Sequence, residues 1–280
     1  MLITELNKKA FDVLNNTFGY SSYRYEQEKI INSVLSGNHT LAIMPTGAGK
    51  SLCYQIPAII SSKKTVVISP LISLMDDQVS ALKECGVQAA KIHSDMTYDE
   101  RSSSWNNFKN GKEKIIYLSP EKIMSEDFLN QLKTLDIGLF VIDEIHCVSK
   151  WGHNFRPDYN QLSKLKSLFP NSNLIGFTAT ADQTTRLDIL EKIFNKNVNV
   201  FVSSLDRPNL SLSITQKTNW KSQLLEYLRD RKSQSGIIYC LSKKKTEEVT
   251  LLLNDKGFNA STYHAGLDGQ VRKHVQDTFM

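Results

Sequence analysis

The sequence predicts an α/β fold in which a parallel sheet carries helices on both faces. Three observations point there. Short apolar, often β-branched runs alternate with stretches of helical spacing over residues 40–202. One run, 41–44, passes through Gly47 and Gly49 into Lys50-Ser51 and then a helical stretch. Another, 138–142, ends directly in the paired acids Asp143-Glu144. Strands separated by helices cross over and pair in parallel, and such sheets collect ligands beyond the carboxyl ends of their strands. Both motifs should therefore face one crevice.

Taken in order, Thr4 can cap a helix with the inward stripe Leu6, Ala10, Val13 and Leu14. Phe18-Gly-Tyr20 breaks it, and a second helix turns Ile30, Ile31, Val34 and Leu35 inward before the Gly37-Asn38 turn. The helix from Ser51 meets Pro57, which should kink or end it. Residues 65–69 read as a β-branched strand stopped by Pro70, and 71–85 as a helix closed by Gly86. Strands follow at 88–92, 114–118, 138–142, 173–177 and 198–202. Helices are expected near 99–108, 127–135 and 182–194. Residues 203–209, with Asp206-Arg-Pro208, look like a linker, which divides the chain into domains 1–204 and 205–280. The second domain is expected to hold strands at 210–215, 236–241 and 259–263, few for a sheet of this kind.

Composition narrows the classes. Of 280 residues, 40% are hydrophobic and 22% charged, ordinary for a soluble globular chain. A net charge of +5 suits a polyanionic partner without demanding one. The four cysteines lie far apart with no C-x-x-C pair, which argues against a zinc site or disulfide framework and for a reducing cytoplasm. No signal-peptide core and no membrane-length apolar run is present, so a cytoplasmic protein is expected, nucleoid-associated in a bacterium.

The chemistry concentrates in three places. In Thr46-Gly-Ala-Gly-Lys-Ser51 a strand turns through glycines into a helix start, aiming backbone N–H groups and the helix dipole at one anion. Lys50 would reach the outer phosphates and the Ser51 hydroxyl would ligate Mg²⁺. The strict pattern wants a further glycine upstream, and Met44 stands near that place. Asp143 can hold Mg²⁺ through water while Glu144 polarises the water attacking a γ-phosphate. The plainer alternative is an exposed acidic turn, with His146 a surface or structural residue. The third place is the loop Cys147-Val-Ser-Lys-Trp-Gly-His-Asn-Phe-Arg-Pro-Asp-Tyr159, where Trp151, Phe155 and Tyr159 interleave with Lys150, His153 and Arg156. Stacking rings beside cations suit single-stranded nucleic acid. A packed loop, with Arg156 neutralising Asp158 or Asp143, fits the same residues.

These runs, with Phe18-Gly-Tyr-Ser-Ser-Tyr-Arg-Tyr-Glu-Gln27, Ser69-Pro-Leu-Ile-Ser-Leu-Met-Asp-Asp-Gln78, Tyr117-Leu-Ser-Pro-Glu121, Phe177-Thr-Ala-Thr-Ala181, Asp206-Arg-Pro-Asn209 and Tyr263-His-Ala-Gly266, make the chain resemble RecQ-type DNA helicases of superfamily 2 along essentially its whole length. The Trp-Gly-His-x-Phe-Arg-Pro loop is the most specific of them. The resemblance implies a RecA-like P-loop NTPase domain followed by an incomplete second one. It implies ATP and Mg²⁺ as cofactors and DNA, single-stranded or at single–double-strand junctions, as partner; the sequence does not give the oligomeric state, for which a monomer is the expectation. ATP hydrolysis would drive 3′-to-5′ unwinding in repair and recombination. Tyr20 would stack on adenine, Gln27 would read its edge and Arg24 would lie nearby. Thr46, Gly47, Ala48, Gly49, Lys50 and Ser51 would hold the phosphates, and Asp143 and Glu144 would serve metal and water. The 69–78 and 117–121 segments would contact the DNA backbone. Trp151, His153, Phe155, Arg156, His146, Thr178 and Thr180 would couple DNA to hydrolysis, and His264 would sit near DNA.

Ile145 stands where the family usually has Ala, Tyr25-Glu26 where it has Pro-Gly, and Asn154 where it has Asp. The family's last helicase segments, with an arginine finger worth about 10³-fold or more in rate, are expected beyond Met280. The chain is accordingly expected to bind ATP and DNA yet hydrolyse slowly. A nucleotide- and DNA-binding module without motor activity, or a P-loop ATPase that moves no nucleic acid, are the alternatives.

Overall fold

The computed structural model describes residues 2–149, 156–204 and 210–280. The chain forms two compact units, Met1–Arg207 and Pro208–Met280.

The first unit opens with helices α1 (Leu2–Asn16) and α2 (Gln27–Leu35) and strand β1 (Thr40–Ile43). Then follow α3 (Leu52–Ile60), β2 (Lys64–Ile68), α4 (Ile72–Glu84), β3 (Ala89–Ile92), α5 (Tyr98–Lys109) and β4 (Ile115–Leu118). Next come α6 (Pro120–Ile123), α7 (Glu126–Leu132), β5 (Ile137–Ile142), α8 (Pro157–Gln161), α9 (Leu165–Leu168), β6 (Asn173–Thr178), α10 (Gln183–Lys192) and β7 (Asn199–Val202). The seven strands form one sheet in the order β3-β4-β2-β5-β6-β1-β7, and every pair is parallel. That is the architecture the strand–helix alternation predicts.

Alternation of side chains across each strand sends Leu41, Ile43, Val66, Ile68, Phe140 and Ile142 into one apolar cluster. Ala42, Met44, Val67, Leu139, Val141 and Phe177 go into the other, on the opposite face. Strands buried on both faces need near-continuous apolar runs, which is why these segments read so clearly. Full burial of each such side chain contributes about 1.5–3 kcal/mol.

Two local expectations change. Thr4 lies inside α1, which already begins at Leu2, and not at its cap. Pro57 does not end α3, which runs on to Ile60. Its missing N–H removes a single bond near the helix end, and the Pro57 carbonyl still accepts from Ser61 N at 2.9 Å. Gly86 closes α4 as expected, with φ of 76° and its N–H on the Lys83 carbonyl at 2.9 Å.

The second unit holds α11 (Trp220–Leu228), α12 (Lys243–Asp255) and α13 (Gly269–Phe279). Among its described residues none forms a strand, so the strands expected at 210–215, 236–241 and 259–263 are absent. A strand exists only by pairing, and no described neighbour supplies a ladder. The expected linker Asp206-Arg-Pro208 lies outside the described residues.

Candidate nucleotide site

The turn between β1 and α3 is built on two left-handed glycines, Gly47 at φ 83° and Gly49 at φ 74°. Among the described residues, the amides of Gly47, Gly49, Lys50 and Ser51 donate to no protein group. The first amide bonded into the helix is that of Leu52, to the Gly49 carbonyl at 3.2 Å. Unspent donors at a helix start form an anion-binding concavity. The Lys50 ammonium lies over it and donates to the Met44 carbonyl at 3.3 Å.

Gln27 clasps this loop from α2. Its Nε2 donates to the carbonyls of Ala48 at 3.1 Å and Gly49 at 3.2 Å, and its Oε1 accepts from Arg24 N at 2.9 Å. The side chain is buried. A Cβ at position 49 would run into the Gln27 amide, so glycine there serves close approach as well as backbone angle. Tyr20 stands half-exposed nearby with the Arg24 guanidinium 5.6 Å from its ring centre. Thr46 is exposed and Ala48 buried.

Asp143 and Glu144 arrive from β5. β5 and β1 flank β6, with Ile142 opposite Gly176 and Ile43 opposite Thr178, so the acids emerge at the same sheet edge as the loop. The Lys50 charge acts on both carboxylates. Burial first, then the neighbouring Glu144 charge, raises the Asp143 pKa to about 6. Glu144 is held below its usual range, chiefly by its bond to His146. Glu144 also sits in the left-handed region, at φ 47° and ψ 44°, a strained conformation for a non-glycine residue that turns its carboxylate back toward His146.

His146 joins this corner to β6. Its Nδ1 lies 2.9 Å from Thr178 Oγ1 and 3.2 Å from Glu144 Oε2. Bonds to Cys147 and then to Glu144 raise its pKa to about 9. A protonated ring donates from both nitrogens, so Thr178 Oγ1 accepts from it and from Thr180 N at 3.2 Å while donating to the Thr180 carbonyl at 3.0 Å. His146, Thr178 and Thr180 are thus one bonded unit.

Of the aromatic-rich loop, Trp151, His153 and Phe155 lie outside the described residues. Arg156 bonds neither Asp158 nor Asp143. Its Nη1 donates to the Pro70 carbonyl at 2.9 Å, tying the loop's end to the segment before α4. Tyr159 is fully buried, and its hydroxyl donates to the Asp143 carbonyl at 2.9 Å. At Tyr159 the packed alternative holds, because a ring enclosed in the core offers no face to a base. Its position three residues into the α8 turn could have signalled this.

Oxygen donors from Ser51 and Asp143, backed by a second carboxylate, are the hard ligands that Mg²⁺ takes. Burial first, and then the Glu144 charge beside it, disfavour the ionised Asp143 carboxylate, and a bound cation would offset both, so these residues fit the ion.

A family model described as DEAD/DEAH box helicase matches residues 24–188, which include the loop, both acids and Thr178-Ala-Thr180. The chain belongs to the DEAD/DEAH box helicase family. Within this family it is similar to the ATP-dependent DNA helicase RecQ of Pasteurella multocida, 44% identical over 274 residues, covering 98% of this chain and 43% of that protein. The RecQ helicase of Bacillus subtilis is 37% identical over 274 residues, covering 97% of this chain and 46% of its own. The chain therefore spans less than half the length of these relatives. Among solved structures, the DUF1998 helicase MrfA bound to DNA shares the fold with a TM-score of 0.72 at 17% identity, over 98% of this chain and 42% of that one. No described helix is long and apolar enough to cross a membrane.

Proposed function

We propose that the chain is the nucleotide-binding part of an ATP-dependent, RecQ-type DNA helicase that moves 3′ to 5′ on single-stranded DNA. The observation that carries this is the meeting of Lys50, Asp143 and Glu144 at one sheet edge over a turn of unspent amides. The names of the RecQ relatives support the DNA and the hydrolysis. The amides of Gly47, Gly49, Lys50 and Ser51 and the Lys50 ammonium bind the phosphates and stabilise charge on the outer one. Ser51 and Asp143 would hold Mg²⁺, which supplies charge neutralisation across the phosphates. Glu144 orients the attacking water and accepts its proton, with His146 fixing the carboxylate's direction. Tyr20 stacks on the adenine with Arg24 beside it. For Gln27 to read the base edge, its bonds to the loop must first open, which links base recognition to loop shape. Thr178-Ala-Thr180, Arg156 and the residues around Trp151, His153 and Phe155 carry the DNA signal. The first unit is one RecA-like domain, and Pro208–Met280 belongs to a second.

Lys50→Ala should weaken Mg–ATP binding and cost about 10²–10³-fold in hydrolysis, as removal of one aimed electrostatic donor does. Glu144→Gln should still bind nucleotide but not hydrolyse it. Unchanged Mg–ATP affinity in Lys50→Ala, measured by calorimetry, would overturn the reading.

A further inference from the structure

Beneath the nucleotide site lies a buried polar chain that the chemistry above does not use. α3 begins at the phosphate loop, and its first turn carries Tyr54 and Gln55, both nearly inaccessible. The Tyr54 hydroxyl lies 3.2 Å from that of Tyr117, the fully buried third residue of β4. Gln55 Nε2 donates to Tyr117 Oη at 3.4 Å and to Gln78 Oε1 at 3.1 Å. Gln78 stands on α4, only half-buried. At the other end, Tyr54 N donates to the Ser51 carbonyl at 3.2 Å, and the Asp143 charge is felt by both tyrosines. Four polar side chains thus lie bonded to one another between the start of α3, which follows the phosphate loop, and α4, which follows Pro70.

Burying four polar groups in an otherwise apolar cluster is costly unless they bond one another, and replacing them by apolar groups of the same shape is often neutral. A core that needed only filling has no use for them. What they do provide is a directional connection between two elements that carry different ligands. α3 continues directly from the phosphate loop. α4 and the end of β4 carry the 69–78 and 117–121 segments, exposed at Leu71, Ser73, Asp77 and Glu121, and Arg156 also fastens to Pro70 there. Bonded chains with two arrangements transmit such displacements where apolar packing slides.

We infer that Gln55, held between Tyr117 and Gln78, is a positioning residue that couples nucleotide occupancy of the phosphate loop to the grip of the 69–78 and 117–121 rim on single-stranded DNA. The inference rests on the function proposed above and names the route by which its two ligands communicate. Because coupling between two sites is reciprocal, DNA should tighten nucleotide binding by the same factor as nucleotide tightens DNA binding.

The test measures the dissociation constant of Mg–ATPγS with and without saturating oligo-deoxythymidine, for the full 280-residue chain. The unmodified chain should show a coupling factor of about 5-fold or more. Gln55→Met keeps the volume and removes both bonds. It should bring the factor to about 1 while nucleotide affinity without DNA stays within about twofold. Gln78→Met, whose own contact with DNA is read separately from DNA affinity without nucleotide, should also lower the factor, and the double variant should be no worse than Gln55→Met, since both cut the Gln55–Gln78 bond. If Gln55→Met does not fold, Gln78→Met at the exposed end reads the same connection. Full coupling retained in the variants, or an unmodified chain that binds both ligands independently, overturns the inference. An unmodified chain that binds no Mg–ATPγS overturns the proposed function itself, a separable result.

Discussion

The two units carry apolar runs of the same kind and treat them oppositely. In the first, Val66-Val-Ile68 and Phe140-Val-Ile142 are at most 1% exposed, each paired on both sides in the sheet. In the second, Gly236-Ile-Ile-Tyr-Cys-Leu241 has the same composition, yet Ile237 is 67% exposed and Tyr239 93%. α12 does bury Val249 and Leu253, so the unit is not without a core. The difference is in partners. A helix satisfies its own backbone and needs only one apolar stripe covered, whereas a parallel strand must find at least one neighbouring strand, and an inner one two, with helices over the faces. An apolar run is therefore a request for a sheet, and only other strands can grant it.

The sharpest way to break this comparison is to truncate one side chain on each side of it. Ile142→Ala, at the fully buried end of β5, should cost about 2–5 kcal/mol in denaturant unfolding. Leu241→Ala, at a residue with no burial, should stay within about 0.5 kcal/mol. A comparable loss at Leu241 would show that the 236–241 run is packed in solution and that the contrast is not real.

The same contrast explains what could be read from residue order alone. The phosphate loop and Asp143-Glu144 were legible because each is a contiguous string whose chemistry fixes its neighbours. The first unit's inner strands, such as β2 and β5, were legible because burial on both faces leaves little room for polar interruption. The clasp of Gln27 on Gly49, 22 residues away, was not, nor was the bond from Arg156 to Pro70 across 86 residues. Such contacts depend on strand order, which no local pattern encodes. The left-handed Glu144 was hidden for another reason, since nothing in its side chain favours that conformation and the surroundings impose it. The strands expected in the second unit failed because pattern specifies appetite for pairing and not the presence of a partner.

Within the sheet unit, packing can be tested at one methyl. Ile145, where Ala was the expected residue of the family, sits directly over Gly176 of β6, and a Cβ there would collide with its side chain. Ile145 is fully buried and has little room to yield. Gly176→Ala should therefore cost about 1–3 kcal/mol. Pairing it with Ile145→Ala should recover part of that loss, a non-additivity expected of residues in contact. Additive costs in a double-mutant cycle would mean that the two side chains do not meet.

The smallest expected effect concerns pH and tests whether the sheet edge beside β1 is as closed as it looks. His39 accepts the Leu174 amide on Nδ1 at 3.0 Å, which requires that nitrogen to be unprotonated. Burial, and then the Lys166 charge, push its pKa below 6.5. Protonation is thus easier in the unfolded chain, so this contribution to stability is fully present above pH 6.5 and is lost as pH falls through the lowered folded value. Asp143 acts with the opposite sign. Its pKa rises from 3.8 to about 6, so its contribution is present below 3.8 and lost as pH rises through about 6. The two slopes overlap in the unmodified chain, and only a difference separates them. His39→Gln keeps an acceptor for the Leu174 amide and removes the titration. The stability gap between the variant and the unmodified chain should therefore shift in the variant's favour as pH is lowered from 7 to 5. A gap independent of pH would mean that His39 titrates alike in the folded and unfolded chain, and that this edge is open to water.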